Sequence, residues 1–118
     1  MSALTEMQCV ACHPGVEPAT AEEIEEWLAD IPEWNLLKVR DVPRIQRTFR
    51  FPDFKTALAF TNKVGEIAEA EGHHPRITTQ WGRVTVTTWT HAIENLHQND
   101  FILAAKIDRA YEEFTAES

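Results

Sequence analysis

The 118-residue sequence has few basic residues, few cysteines and no long apolar run. Eleven lysines and arginines stand against nineteen aspartates and glutamates. The resulting net charge of −8 argues against nucleic acid as a partner, because basic side chains supply most of the affinity for a phosphate backbone. No stretch is long enough to span a membrane and no leader is visible, so we expect a cytoplasmic protein without a membrane partner. The hydrophobic content of 43% is ordinary for one globular domain.

The two cysteines lie near the N-terminus, where Cys9 and Cys12 precede His13. This spacing matches the attachment motif of c-type haem, but covalent haem attachment requires export and an apolar pocket, and the sequence indicates neither. We therefore interpret residues 1–18 as a flexible tail with two reduced thiols, and residues 19–118 as a single folded domain. Zinc binding by these thiols, with two more ligands from elsewhere, stays open.

Hydrophobic periodicity predicts three helices and four strands in the order α-β-β-α-β-β-α. The helices are predicted to begin at a capping box formed by Thr20 and Glu23, at an Asp53 cap, and near Asp100. The predicted strands are 34–39, 45–51, 76–81 and 84–90, with turns at 41–43 and 82–83. This order favours an α+β fold, with a four-stranded antiparallel sheet and three helices packed on one face.

Three histidines are expected to meet at one end of this sheet. The segment His73-His74-Pro75 precedes the third strand, and His91 follows the fourth. In an antiparallel hairpin, the start of one strand lies opposite the end of the other. Alternation along the fourth strand should direct Val84 and Val86 to the helices and His91 to the other face.

Gathered imidazoles have three explanations, which the residues alone leave open. They could ligate zinc, with Glu69 or Glu71 orienting the ligands, although neighbouring side chains on a strand point to opposite faces. They could be surface or capping groups without a catalytic role. They could also perform metal-free acid–base chemistry, because imidazole titrates near neutral pH and can both donate and accept protons.

The sequence around these histidines resembles the signature of the pterin-4a-carbinolamine dehydratases. That signature combines a charged residue, a histidine pair with proline, an aromatic residue, a distant histidine and an aspartate. In this chain the matching residues are Glu69, His73-His74-Pro75, Trp81, His91 and Asp100. The likeness extends over about residues 20–115. Family members often have an aspartate at the position of Gly72 and a basic residue at the position of Asn99.

The resemblance implies an enzyme that dehydrates 4a-hydroxytetrahydrobiopterin to quinonoid dihydropterin in tetrahydrobiopterin recycling. The catalytic imidazoles that it implies are His73, His74 and His91. The substrate-binding residues that it implies are Pro75, Thr90, Ala92 and Asp100, with Thr90 and Ala92 acting through their backbone. It also implies a homo-oligomer, either a dimer or a tetramer, with no metal and no cofactor, since the pterin is the substrate.

Dehydration needs one group that donates a proton to the leaving hydroxyl and another that accepts the N5 proton. We expect His73 and His91 to transfer these protons and His74 to orient the substrate. Two alternatives stay open. One is a regulatory or dimerisation cofactor protein that acts through its helix surface, and the other is a zinc-binding histidine-cluster protein.

Overall fold

The computed structural model describes residues 3–10 and 15–116, and its order of elements is the predicted one. The helices are α1 (Ala21–Asp30), α2 (Phe54–Glu71) and α3 (Gln98–Ala116). The strands are β1 (Asn35–Val39), β2 (Val42–Arg50), β3 (Arg76–Gln80) and β4 (Arg83–Thr88). They form one antiparallel sheet in the order β1-β2-β4-β3. The predicted α+β class is therefore confirmed. None of the helices in the described part of the chain has both the length and the apolar character needed to cross a membrane.

Short-range sequence signals set the helix ends. Thr20 Oγ1 accepts a hydrogen bond from the Glu23 backbone N–H at 3.1 Å, and Glu23 Oε1 accepts one from the Thr20 N–H at 2.9 Å. The Asp53 carboxylate accepts from the Thr56 N–H at 2.8 Å and begins α2. Gly72 ends α2 with a left-handed φ of 65°, which glycine adopts at little cost. The predicted caps at Thr20 and Asp53 are confirmed.

The core lies between one face of the sheet and helices α2 and α3. Val84 and Val86 of β4 and Ile45 of β2 have no exposed surface, as the predicted alternation requires. Phe49 of β2 contacts Phe60 of α2 with ring centroids 5.0 Å apart. Burying each such side chain stabilises the fold by about 1.5 to 3 kcal/mol, so this layer holds α2 on the sheet.

The first hairpin differs from its prediction. The chain turns at Arg40 and Asp41, whose φ angles are 53° and 65°, and not at residues 41–43. A two-residue hairpin loop commonly requires positive φ at its central residues, and a short polar side chain such as aspartate tolerates that conformation. As a result, Val42 and Pro43 belong to β2, where Pro43 lies opposite Lys38 of β1.

The end of β4 also differs from its prediction. The strand ends at Thr88, and Thr90 forms an isolated antiparallel bridge with Asn95. A 3₁₀ turn at His91–Ile93 lies between them. Helix α3 then begins at Gln98, which places Asp100 in its first turn.

Residues 3–10 pack against the domain, which differs from the flexible tail predicted for residues 1–18. Leu4 is 2% exposed and belongs to the hydrophobic core. The backbone N–H of Cys9 donates to Glu71 Oε1 at 3.0 Å, so this segment also contacts the last residue of α2. These contacts are made by residues 3–10, and flexibility elsewhere in the segment stays a prediction.

Cys9 is the one member of the Cys9–Cys12–His13 motif that the structure describes, since residues 11–14 lie outside the described residues. Its thiol is half-buried. Burial, with the nearby Glu71 carboxylate, raises the pKa of the Cys9 thiol to about 12. The thiol is therefore protonated at neutral pH, whereas metal binding and nucleophilic attack both need the thiolate. The haem and zinc hypotheses for this motif find no support at Cys9.

Glu71 supplies a test of the contacts at the end of α2. Burial alone would raise the pKa of Glu71, but Lys106, 2.6 Å away, and the Cys9 N–H hold it below its usual value. A carboxyl whose pKa is lower in the folded state stabilises the fold above its unfolded pKa, near pH 4. That stability is lost as the pH falls through the folded pKa.

We therefore expect Glu71→Gln to lower the free energy of unfolding at pH 7, with a difference from wild type that shrinks below about pH 4. Urea denaturation over a series of pH values measures this difference. Glu66→Gln, at an exposed position of the same helix, is the matched control and should change little at any pH. A difference that stayed constant down to pH 2 would contradict an ionic origin.

Candidate active site

A buried hydrogen-bond network surrounds the carboxylate of Asp100, which has no exposed surface. Oδ1 lies 2.6 Å from His73 Nε2 and accepts a hydrogen bond from Thr88 Oγ1 at 2.7 Å. Oδ2 accepts from Thr90 Oγ1 at 2.8 Å and from the backbone N–H of His97 at 3.1 Å. These four donors satisfy a carboxylate that water cannot reach. Because a carboxylate can only accept, Nε2 is the protonated nitrogen of His73.

Strand register explains why His73 meets this network. Arg76 of β3 lies opposite Thr87 of β4. Continuing the same antiparallel register towards the start of β3 places His73 opposite Thr90. Thr88 and Thr90 both face the helices, because they continue the alternation of Val84 and Val86 along β4.

The start of α3 completes the network. Asp100 lies in the first helical turn, where unpaired N–H groups and the helix dipole favour a negative charge. The imidazole of His97 caps this turn, since its Nδ1 accepts a hydrogen bond from the Asn99 N–H at 3.1 Å. Burial lowers the pKa of His97, and the nearby His73 lowers it further, while Asp100 opposes both. His97 is therefore a neutral ring at pH 7 that acts as a helix cap.

His74 and His91 lie at the surface of the molecule, in contrast to the buried His73. The His74 side chain is 61% exposed, and its Nε2 lies 2.7 Å from Glu69 Oε1. His91 is exposed and contacts Trp89, with ring centroids 4.4 Å apart and ring planes tilted by 42°. His74 follows His73 in the chain and His91 follows Thr90, so two exposed imidazoles lie next in sequence to members of the buried network.

The metal hypothesis for the histidines gains no support from this geometry. Within residues 3–10 and 15–116, no three His, Cys, Asp or Glu side chains are grouped closely enough to hold a metal ion. His73 already bonds to Asp100, and His74 to Glu69. The Glu71 carboxylate, the other predicted orienting group, is bonded to Lys106.

The four predicted substrate-binding residues fall into two groups. The Thr90 and Asp100 side chains have no exposed surface, and a bound molecule would contact them only by displacing the network. The Thr90 backbone N–H is also engaged, with the Asn95 carbonyl at 2.9 Å. Pro75 is half-exposed and Ala92 is exposed, so these two residues are accessible. Ala92 lies in the 3₁₀ turn, whose first N–H groups have no acceptor within the turn.

Sequence reasoning missed several residues of this region. Thr88 could have been found, because it lies two residues before Thr90 on the same face of a strand. Arg44 had no local signal: its guanidinium lies 3.9 Å from the centroid of the Trp89 ring. This contact follows from the pairing of Ile45 with Thr88, which places Arg44 opposite Trp89 one step further along.

Comparison with known proteins gives consistent results. Residues 17–110 match the family model of pterin 4 alpha carbinolamine dehydratase. A protein from Microcystis aeruginosa is 50% identical over 116 residues, which cover 98% of this chain and 100% of that protein. A protein from Chlorobium limicola is 51% identical over 112 residues, which cover 95% and 99% respectively. Both are named, provisionally, as pterin-4-alpha-carbinolamine dehydratases.

Two solved structures share the fold. The crystal structure of a transcriptional coactivator/pterin dehydratase from Brucella melitensis has a TM-score of 0.71 at 32% identity, covering 79% of this chain and 97% of that one. A pterin dehydratase-like protein, identified as a RuBisCO assembly factor in the alpha-carboxysome, has a TM-score of 0.57 at 21% identity, covering 67% and 89%. The second likeness shows the fold alone. Since one fold carries different functions, the site residues have to carry a functional argument.

The Asp100 network can be tested with an isosteric substitution. Thr88→Val keeps the shape of the side chain but removes the O–H donor to Asp100 Oδ1, so a buried charge loses one of its donors. We expect the free energy of unfolding to fall by about 1 to 3 kcal/mol in urea denaturation. The control is Thr85→Val on the opposite face of β4, where the hydroxyl bonds to Thr48 at the surface. Equal losses in the two variants would contradict a special role for the buried donor.

Proposed function

Because the chain belongs to the pterin-4a-carbinolamine dehydratase family, we propose that it removes water from 4a-hydroxytetrahydrobiopterin by histidine acid–base catalysis. The observation that carries this proposal is the buried His73–Asp100 pair, 2.6 Å apart, beside the exposed imidazoles of His74 and His91. The product is the quinonoid dihydropterin, so the proposed physiological role is the recycling of tetrahydrobiopterin.

The proposed reaction requires two proton transfers. The C4a–O bond breaks, and the hydroxyl leaves as water after it takes a proton from an imidazolium. The N5–H gives its proton to a neutral imidazole, and a C4a=N5 double bond forms. Positioned acid–base groups of this kind contribute about 10²- to 10⁴-fold each in rate. The reaction consumes no net proton. Proton exchange with solvent restores the imidazolium and the neutral imidazole after each turnover.

The surroundings of the histidines support a division of roles. The bond from His73 Nε2 to Asp100 holds the ring in one orientation, with a buried carboxylate as its partner. We assign proton transfer to His73 and to His91, whose ring is exposed to solvent and supported by Trp89. His74, which is bonded to Glu69, would orient the substrate. Pro75 and the Ala92 backbone are the accessible groups for contact with the pterin ring.

A dehydration assay with chemically generated 4a-hydroxytetrahydrobiopterin, corrected for spontaneous dehydration, tests these roles. We expect His73→Ala and His91→Ala to lower kcat by about 10²- to 10⁴-fold, because each removes one proton transfer. His74→Ala should mainly raise KM. Arg83→Ala, at the opposite end of β4, is the control and should turn over like wild type.

The outcomes of this assay separate the claims. Wild-type turnover in His73→Ala or His91→Ala would end the role proposed for that residue. A wild-type protein that does not accelerate dehydration would end the proposed function as a whole.

We also propose that the protein is a homo-oligomer, as the family resemblance implies. Phe54 and Leu58 of α2 are each 45% exposed and Trp81 is 70% exposed, although apolar side chains of this size are usually covered. Multi-angle light scattering should give a mass two or four times the chain mass of 13.5 kDa. Leu58→Glu should lower that mass. A monomer at micromolar concentration would contradict the proposal.

A further inference from the structure

Residues 3–10, here called the N-terminal strap, connect the two elements that deliver His73 and Asp100. One end of the strap is anchored by Leu4, which is 2% exposed within the core, and the 3₁₀ turn Ala3–Glu6 around it packs on α3. The other end, at Cys9 and Val10, is bonded to the last residue of α2 and to the first turn of α3. The strap therefore crosses the junction between these two helices.

The contact with α3 is made by Asn99, the neighbour of Asp100 in the chain. The Asn99 side chain is buried; its Oδ1 accepts from the Val10 N–H at 3.0 Å and its Nδ2 donates to the Val10 carbonyl at 2.7 Å. One side-chain amide thus pairs with both backbone groups of Val10, as a neighbouring strand would. Among residues of similar shape, an aspartate lacks the N–H donors and a leucine lacks both partners.

The contact with α2 is made by Glu71, which directly precedes Gly72 and His73. Glu71 Oε1 accepts from the Cys9 N–H at 3.0 Å, and Oε2 lies 2.6 Å from Lys106 Nζ of α3. The end of α2 is therefore tied both to the strap and to α3. Terminal turns of helices have fewer internal hydrogen bonds than their middles, so contacts of this kind decide where such turns lie.

We propose that the N-terminal strap is a positioning element, which holds the last turn of α2 and the first turn of α3 so that His73 and Asp100 meet in the correct geometry. Its kinetic consequence rests on the proposed dehydratase function. The physical reason is that catalysis tolerates little misplacement: moving a catalytic group by about 1 Å can lower the rate on the order of 100-fold. Asn99 and Glu71 act through their neighbours and are positioning residues that touch no substrate.

Two substitutions break the same contact from opposite sides. Asn99→Ala removes the side-chain amide. Val10→Pro removes the backbone N–H that donates to Asn99 Oδ1. The Val10 side chain is 58% exposed, so Val10→Ala, which keeps the N–H, is a matched control. We expect both disruptive variants to lower kcat about tenfold with little change in KM, and Val10→Ala to behave like wild type. The kcat of the double variant should be no lower than that of Asn99→Ala alone, because the single substitution already removes the contact.

A second measurement separates positioning from stability and needs no substrate. In ¹⁵N-histidine-labelled protein, the Nε2 proton of His73 that is bonded to Asp100 should exchange slowly with water. We expect faster exchange in Asn99→Ala and Val10→Pro, and wild-type exchange in Val10→Ala. This readout decides the role of the strap even if the wild-type protein does not dehydrate the pterin.

Three results would overturn the proposal. One is wild-type kcat and wild-type exchange of the His73 proton in Asn99→Ala. Another is a lowered melting temperature in both variants with kcat and exchange unchanged, which would make the strap a stabilising segment alone. The third is a fall in kcat in the double variant that equals the two single effects combined, which would mean that Asn99 and Val10 act independently.

Discussion

The buried carboxylate of Asp100 is the constraint on which the site and much of the fold depend. An unpartnered charge at this depth would cost several kcal/mol, so its donors have to be in place when the fold closes. Those donors come from three different places: the entry to β3, the end of β4 and the loop before α3. The register of the β3–β4 hairpin, the end of β4 and the start of α3 are therefore coupled to one another through a single side chain.

This coupling divides the histidines into two environments. His73 is buried and its tautomer is set by Asp100, while His74 and His91 keep contact with water. The proposed dehydration needs one group that gives a proton and one that takes a proton, and differing surroundings are what allow similar side chains to take opposite roles. The exposed rings can also exchange protons with solvent between turnovers, which a fully buried pair would do slowly.

Local patterns predicted the order of elements because they act over a few residues. The Thr20 cap, the Asp53 cap and the alternation at Val84 and Val86 are examples. The first hairpin turn was predicted at residues 41–43, whereas the structure places it at Arg40 and Asp41, which both have positive φ. The contact of Arg44 with Trp89 depends on the order of the strands in the sheet. That of Asn99 with Val10 depends on the N-terminal segment lying against α3. No short-range pattern encodes such pairings, so the β3–β4 hairpin could be predicted and these contacts could not.

The buried histidine and the two exposed histidines differ in what the fold gains from them. The His73–Asp100 pair has a sufficient structural reason to exist, because the buried carboxylate must be satisfied. His74 is 61% exposed and bonded to a Glu69 side chain that is 80% exposed, an arrangement worth at most about 1 kcal/mol in stability. His91 is exposed and its ring contacts that of Trp89 at a tilt of 42°, and folding gives no strong reason for an imidazole there. The roles proposed for these two rings therefore rest on their accessibility to a solute and not on a contribution to folding.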